Sequence, residues 1–386
     1  MSARTFAVLA AAVLAVPAPA QVVQYVVTDL GFPPGGPWTT NGAVGINNVG
    51  QVTGTVGTVI PGVATPQAWR FSPGPGMVLL GNLGGPASNS VAYAINASGQ
   101  VVGLSTTPTG VPGGAFRYTD GVGIVSLGAL QGATTSGAQG INSLGQVVGG
   151  SGGRVFRYTD GAGMQDLGMP PGVLSAEGRS INDAGQIAVN ANATSVNVHA
   201  YRYTGGSGYL DLGTLGGADT GARAINAAGT VVGYSTTASG ATHAFRYTDG
   251  GGMVDLGTLS GDSSSVSEGI NALDVVVGVS GTGSVQRAFI YHSGVGMLDL
   301  NGLIGVGTGW TLTRAVGIND NGQIVGIGTL GGVSRAFLLT PVPEPSPLLL
   351  AVAGVLVGVA SGRNRLTVFQ RFAIRGRYRP CAARHR

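Results

Sequence analysis

The chain has 386 residues, 43% of them hydrophobic and only 9% charged, against about 25% charged in an average globular protein. That apolar content excludes disorder, and 71 glycines without a three-residue period exclude collagen and point to tight turns. The net charge of +4 is misleading: all 20 basic residues are Arg and eight lie in the last 24 residues, whereas between Gln24 and Pro341 11 Arg meet 13 Asp and 2 Glu, a net −4. The body therefore lacks the basic footprint of a nucleic-acid binder. Its one cysteine, Cys381, lies in the basic tail, so no disulfide staples the body.

Residues 1–20 begin with Arg4, run apolar from Phe6 to Val16 and end in Ala18-Pro19-Ala20. A charged start, a short apolar stretch and a small-x-small site predict a secretory signal that signal peptidase cleaves after Ala20; a buried N-terminal helix is the alternative. Residues 21–341 carry seven copies of Ile-Asn, two variable residues and then usually Gly-Gln. The pairs fall at Ile46–Asn47, Ile95–Asn96, Ile141–Asn142, Ile181–Asn182, Ile225–Asn226, Ile270–Asn271 and Ile318–Asn319. Steps of 49, 46, 40, 44, 45 and 48 residues predict a propeller or a solenoid.

The unit Ala222–Leu259 shows how a copy folds. Ala222–Asn226 alternates as a strand does, Asn226-Ala227-Ala228-Gly229 is a turn, and Thr230–Tyr234 returns. His243–Thr248 is a third strand, Asp249-Gly250 opens a second turn, and Met253–Gly257 is a fourth strand. Four short antiparallel strands in about 45 residues describe a propeller blade. The seventh unit stops after its third strand, Ala336–Thr340, while Tyr25–Gly31 is a fourth-strand phrase with no unit before it. An open solenoid leaves such edges exposed; a ring joins them. The expectation is an all-β, seven-bladed β-propeller, closed by the N-terminal strand.

Within the third strand, Phe245 and Tyr247 share one face, Ala244 and Arg246 the other, so small and large side chains interleave between blades. A hairpin centred on Asp249–Gly252 sets Arg246 opposite Asp255, and the same offset pairs Arg157 with Asp166 and Arg202 with Asp211 as expected cross-strand salt bridges. His243-Ala244-Phe245, together with the Ile-Asn and DLG phrases over Tyr25–Pro341, resembles the HAF family of extracellular repeats. Two copies depart from the pattern, with Val189 in place of Gly and Asp274-Val275 in place of Gly-Gln. The resemblance implies a secreted or surface protein and no particular activity.

Residues 342–365 hold Val342-Pro343-Glu344-Pro345, an apolar stretch from Leu348 to Ala360, and then Arg363 and Arg365. They resemble the PEP-CTERM sorting signal of bacterial surface proteins. That resemblance implies a single hydrophobic helix held transiently in the inner membrane and cleavage near Pro343–Pro345 by an exosortase-type membrane peptidase. The basic tail 366–386 is longer than such signals carry; read without the family, the segment is an ordinary membrane anchor.

Chemistry is sparse. His199 and His243 occupy equivalent repeat positions a blade apart and His292 stands alone, which argues against a metal site, and no cofactor is expected. The acidic candidates Glu177, Glu268, Asp183, Asp219, Asp262, Asp274 and Asp320 form no marked pair, although glycoside hydrolysis needs only two well-placed carboxylates. Asp120-Gly121, Asp160-Gly161 and Asp249-Gly250 lack the ligand spacing of a calcium loop and read as turns. The seven Asn of the Ile-Asn phrases, Asn47, Asn96, Asn142, Asn182, Asn226, Asn271 and Asn319, are structural turn residues. Trp69 reads as core; Trp38 and Trp310, in irregular loops beside the expected closure, are the candidate ligand-binding residues. The expected role is non-enzymatic adhesion, scaffolding or contact with extracellular polysaccharide. The alternatives are a propeller-type polysaccharide lyase or hydrolase, and ice or mineral-surface binding. Convergence of a carboxylate with a second carboxylate, an Arg or a Tyr at one mouth of the ring separates binding from catalysis.

Overall fold

Each repeat folds into one four-stranded antiparallel sheet, and seven such sheets form the body. The computed structural model describes residues 23–58, 66–85, 88–106, 113–192 and 197–343. The fifth blade is typical, with strands Gly216–Ile225, Val231–Thr237, Thr242–Thr248 and Gly252–Asp255. The seventh takes its first three strands from Trp310–Ile318, Ile324–Leu330 and Val333–Pro341, and its fourth from Tyr25–Asp29 at the other end of the chain. Val27 pairs with Leu339 and Asp29 with Phe337. Leu30 N–H then donates to the Ala336 carbonyl at 3.1 Å. The first strands of neighbouring blades touch all the way round, including the first and the seventh. The expected ring is closed, and closed where the repeat pattern placed it.

The core is shared out between blades. Seven buried clusters each join a small third-strand residue of one blade to the aromatic of the next: Ala68 with Phe116, Ala115 with Phe156, Val155 with Tyr201, Ala200 with Phe245, Ala244 with Phe289, Ala288 with Phe337 and Ala336 with Trp69. Every blade thus buries both faces, which is why a small and a large residue alternate on its third strand. The glycine of the recurring Val-Val-Gly lies beneath the aromatic of its own blade. A Cβ at Gly54, Gly103, Gly149, Gly233, Gly278 or Gly326 would sit 1.8–2.1 Å from a first-strand carbonyl oxygen. The fourth blade solves this differently: Val189 faces Gly178, where five of the other blades set Ala, and the sixth Ser267, against Gly.

The salt bridges expected within hairpins are not formed. Thr248 pairs with Gly252, so three residues turn the chain and Arg246 faces Val254, while Asp255 faces Phe245. Likewise Arg157 faces Gln165 and Arg202 faces Leu210. A slip of one residue sends every side chain to the opposite face of the sheet. The DLG carboxylates instead reach the residue two before the aromatic. Asp255 takes His243 Nδ1 at 2.8 Å, Asp166 takes Arg154 at 2.9 Å, and Asp29 takes Arg335 at 3.5 Å across the ring closure. Asp211 meets His199 in the same way, so both histidines serve carboxylates at the blade edge.

The third-strand arginines reach forward to the next blade. Arg70 holds Asp120 at 2.8 Å, Arg117 holds Asp160 at 2.8 Å and Arg202 holds Asp249 at 2.8 Å. Arg70 and Arg117 also lie over Tyr118 and Tyr158 of the following blade, at 5.5 and 5.7 Å. The RYTDG phrase is therefore a splice between consecutive blades, and its Asp-Gly turns serve arginine. Ala20, Glu344, Pro345, Arg363, Arg365 and Cys381, with the segments expected to form a signal peptide and a hydrophobic C-terminal helix, lie outside the described residues. The body ends at Pro341. Among the described residues no helix is long and apolar enough to cross a membrane.

Candidate functional site in the axial channel

The seven first strands line the axis, and each carries a bulge at the same place. Pairing skips the residue two before the Ile of Ile-Asn: Val44, Tyr93, Gln139, Arg179, Arg223, Glu268 and Val316. A bulge re-aims one side chain out of the sheet, and these seven all line the channel. The next residue is small in every copy because the strands nearly meet there. A Cβ on Gly140 would lie 2.9 Å from Ser180 Cα, and one on Gly269 would lie 3.0 Å from the Val316 carbonyl oxygen.

One end of the channel is bound by the seven Ile-Asn asparagines, all buried. Each Oδ1 accepts the backbone N–H four residues on and so caps its own turn. Each Nδ2 donates to the carbonyl of the equivalent Asn in the next blade, at 3.0–3.2 Å, and Asn319 returns to Asn47 to complete the circle. The repeat pattern located these residues but did not reveal the girdle, because a sequence shows the turn and not its neighbour. Asn96, in the glycosylation-like triplet Asn96-Ala97-Ser98, is engaged in this way as part of the turn.

The charged members of the bulge ring are Arg179, Arg223 and Glu268, and Arg314 joins them in the channel. Arg223, Arg314 and Glu268 converge: Arg314 Nη2 donates to Glu268 Oε1, and Arg223 Nε lies 3.7 Å from Oε2. Glu268 is only 10% exposed. Arg179 Nη1 donates to Glu177 Oε1 at 2.9 Å. Tyr93, Gln139, Arg179, Arg223, Glu268 and Arg314 share one chamber of about 280 Å³, and the bulge ring bounds a second of about 300 Å³ toward the asparagines. Of the acidic candidates, Glu268 lines both chambers, and Glu177 lines the cleft at the other mouth. Asp183 and Asp320 accept hydrogen bonds in the Asn turns, Asp219 accepts from Val198 N–H, and Asp262 pairs with Arg287. Among the described residues no His, Cys, Asp or Glu group is arranged to hold a metal ion.

At the opposite mouth, blades two to five frame a cleft of about 540 Å³. Thr106, Thr135, Ser175, Asn190, Asn192 and Tyr234 line it, with Gln139 and Glu177 on the channel side. Tyr234 lies 5.4 Å below the Arg223 guanidinium. Trp38 and Trp310 lie elsewhere: both are half-buried and pack on the core clusters beside the ring closure, Trp310 edge-on to Phe337 at 6.2 Å. Trp69 is fully buried. The cleft residues gave little sequence signal, since they come from strand ends and loops that vary between copies.

No family model matches the chain, and no curated protein matches it. Among solved structures, one from a study of two prolyl endopeptidases aligns at a TM-score of 0.51 and 10% identity, over 80% of this chain and 51% of that one. TolB from Acinetobacter baumannii aligns at 0.45 and 11%, over 76% of this chain and 63% of that one. The Aleuria aurantia lectin with alpha-methyl-L-fucoside aligns at 0.38 and 11%, over 84% of this chain and 99% of that one. The chain thus spans between half and two thirds of the first two proteins. At such identities the likeness is one of fold alone.

Proposed function

We propose that the protein is an exported, non-enzymatic surface or matrix propeller that holds polysaccharide in the cleft at one mouth of its channel. The reading joins the N-terminal export signal and the PEP-CTERM-like segment, with signal peptidase and an exosortase-type peptidase as processing partners, to the geometry of the cleft. The observation that carries it is the 540 Å³ cleft itself, lined by hydroxyl and amide side chains beside Tyr234. Such groups match sugar hydroxyls, and an aromatic face packs on a sugar ring. The tryptophans at the closure are engaged in packing, so the cleft is the better ligand surface.

A lyase or hydrolase is the second reading, favoured by the meeting of Glu268 with Arg223, Arg314 and Tyr93 in one chamber. Binding is preferred because guanidinium groups already pair with both carboxylates, Glu177 at the cleft and Glu268 in the chamber. A glycan array on the secreted body tests the proposal. Asn192→Ala and Tyr234→Phe are each expected to weaken retained glycans several-fold, a hydrogen bond contributing about 0.5–1.5 kcal/mol. A silent array together with polysaccharide turnover reverses the ranking.

A further inference from the structure

The channel charges do not cancel. Arg179, Arg223 and Arg314 face only Glu177 and Glu268, which leaves one positive charge at the axis of a body whose net charge is −4 between Gln24 and Pro341. The other bulge residues, Val44, Tyr93, Gln139 and Val316, carry no charge. Arg223 and Arg314 share one carboxylate, which fixes two guanidinium groups while neutralising one. Their Nε–H groups are buried without a hydrogen bond, but so is that of Arg202, whose terminal nitrogens are both engaged. What sets the channel apart is its excess positive charge and the convergence of Arg223 and Arg314 on Glu268.

We propose that this arginine cluster binds the anionic group of an acidic saccharide, a uronate carboxylate or a sulfate ester, whose neighbouring sugars lie in the mouth cleft. The inference rests on the glycan reading above and deepens it. Guanidinium groups recognise carboxylate and sulfate through paired N–H donors. Fixed in a narrow low-dielectric channel, they attract anions more strongly than exposed arginines do. Gln139 lines both the cleft and the arginine chamber, so one oligosaccharide spans the two. Glu268 then sets the strength of the site: it holds Arg223 and Arg314 in place and competes with the incoming anion.

The test is titration calorimetry of the purified protein with trigalacturonate, a sulfated trisaccharide and neutral maltotriose, at low and high salt. At least one acidic probe is expected to bind more tightly than maltotriose, with an affinity that falls as salt rises. Arg179→Gln and Arg223→Gln are each expected to weaken that probe by about tenfold, equivalent to about 1.4 kcal/mol. Arg179→Lys retains part of the binding, and Glu268→Gln tightens it; thermal melts of each variant establish that it is folded. Whether uronate or sulfate is held tells the two sources apart. If maltotriose binds as well as the acidic probes and depends on Asn192 and Tyr234, the mouth reading stands and the channel proposal falls. If none of the three binds, both fall. Acidic binding unchanged in both glutamine variants also overturns the channel site.

Discussion

Arg202 is 8% exposed while its partner Asp249, in the next blade, is 67% exposed. The arginine is thus the fixed half of each splice and the turn aspartate comes to it. Of the five arginines at this position, two face a next-blade turn without that aspartate, and they show how the chain adjusts. The fourth-blade turn has Gly205 where Asp would stand, and Arg157 of the third blade makes do with Gln165 Oε1 at 3.3 Å. A Cβ on Gly205 meets nothing within 4 Å, so Gly205→Asp is expected to stabilise by roughly 0.2–1 kcal/mol through the new pair. The gain, read as a higher urea midpoint, should shrink when Arg157 is also changed to Gln. The sixth-blade turn has Ser293, and Arg246 turns instead to Asp274. Asp274 sits at φ 60, in the position where six other copies set glycine, and it also accepts from Asn226 Nδ2 at 2.7 Å. In the fifth copy, that of Asn226, Thr230 replaces the Gln that accepts this bond in five other copies, so the changes at Thr230 and Asp274 in neighbouring copies make one repair. Burial raises the Asp274 pKa, but hydrogen bonds from Arg246 and Asn226 prevail and hold it below the ordinary value. A depressed carboxylate contributes stability above its unfolded pKa and loses it as pH falls through the folded one. Asp274→Asn should therefore lower the urea midpoint at neutral pH and flatten its decline in acid below about pH 4.

At the scale of the strand, the sequence showed which segments pair but not the register of every hairpin. Period-2 alternation located all four strands of the fifth blade because Ile225, Val231, Phe245 and Leu256 are buried at matching places. The turn after the third strand was misread by one residue, since glycines at 250, 251 and 252 allow the chain to turn at more than one point. Only the packed structure chooses, with Gly250 at φ 79 and Gly252 at φ 66. The channel site was hidden for a related reason: bulges break the alternation on which the reading depends, so Arg179, Arg223 and Glu268 looked like ordinary alternating positions. Val-Val-Gly was legible as a strand, but its glycine gave no sign of the ring above it. Gly278→Val puts a branched side chain between Phe289 and the Val266 carbonyl oxygen, from which a Cβ would be 2.0 Å. Overpacking of this kind costs about 1–3 kcal/mol. The fourth blade offers the compensation, Gly opposite Val, so Ser267→Gly in the same chain should recover part of the loss. A double variant no more stable than Gly278→Val, in chemical denaturation, would show that the Gly178–Val189 exchange is not what accommodates the larger residue.

A ring differs from a stack in that its last interface has to form between segments distant in sequence. Here that interface is a strand pair from Tyr25–Pro341 to Asp29–Phe337, the Asn319–Asn47 link of the girdle and the ion pair of Arg335 with Asp29. Tyr25 and Leu30 are buried in the clusters on either side; burial pushes the Tyr25 hydroxyl up to about 12, so it stays neutral under ordinary conditions. These two side chains alone account for roughly 3–6 kcal/mol at about 1.5–3 kcal/mol each, a large share of the 5–15 kcal/mol typical of a folded domain. Deleting residues 23–31 should remove most of that stability and bare the edge of Val333–Pro341, which invites pairing with another chain. The expected result is a lower melting temperature together with concentration-dependent association in analytical ultracentrifugation. A synthetic peptide of residues 23–32 should restore both, because it adds the missing strand to a waiting edge. A scrambled peptide should not. A peptide of residues 250–259, the fourth-strand phrase of the fifth blade, carries the same Asp-Leu-Gly but lacks the buried tyrosine, and is expected to restore less. Its register matches, with Asp255 opposite Phe245 as Asp29 is opposite Phe337, so the difference between the two peptides measures what Tyr25 adds to closure. If the deletion leaves melting temperature and association state unchanged, the ring is held by its other six interfaces and the N-terminal strand merely covers an edge.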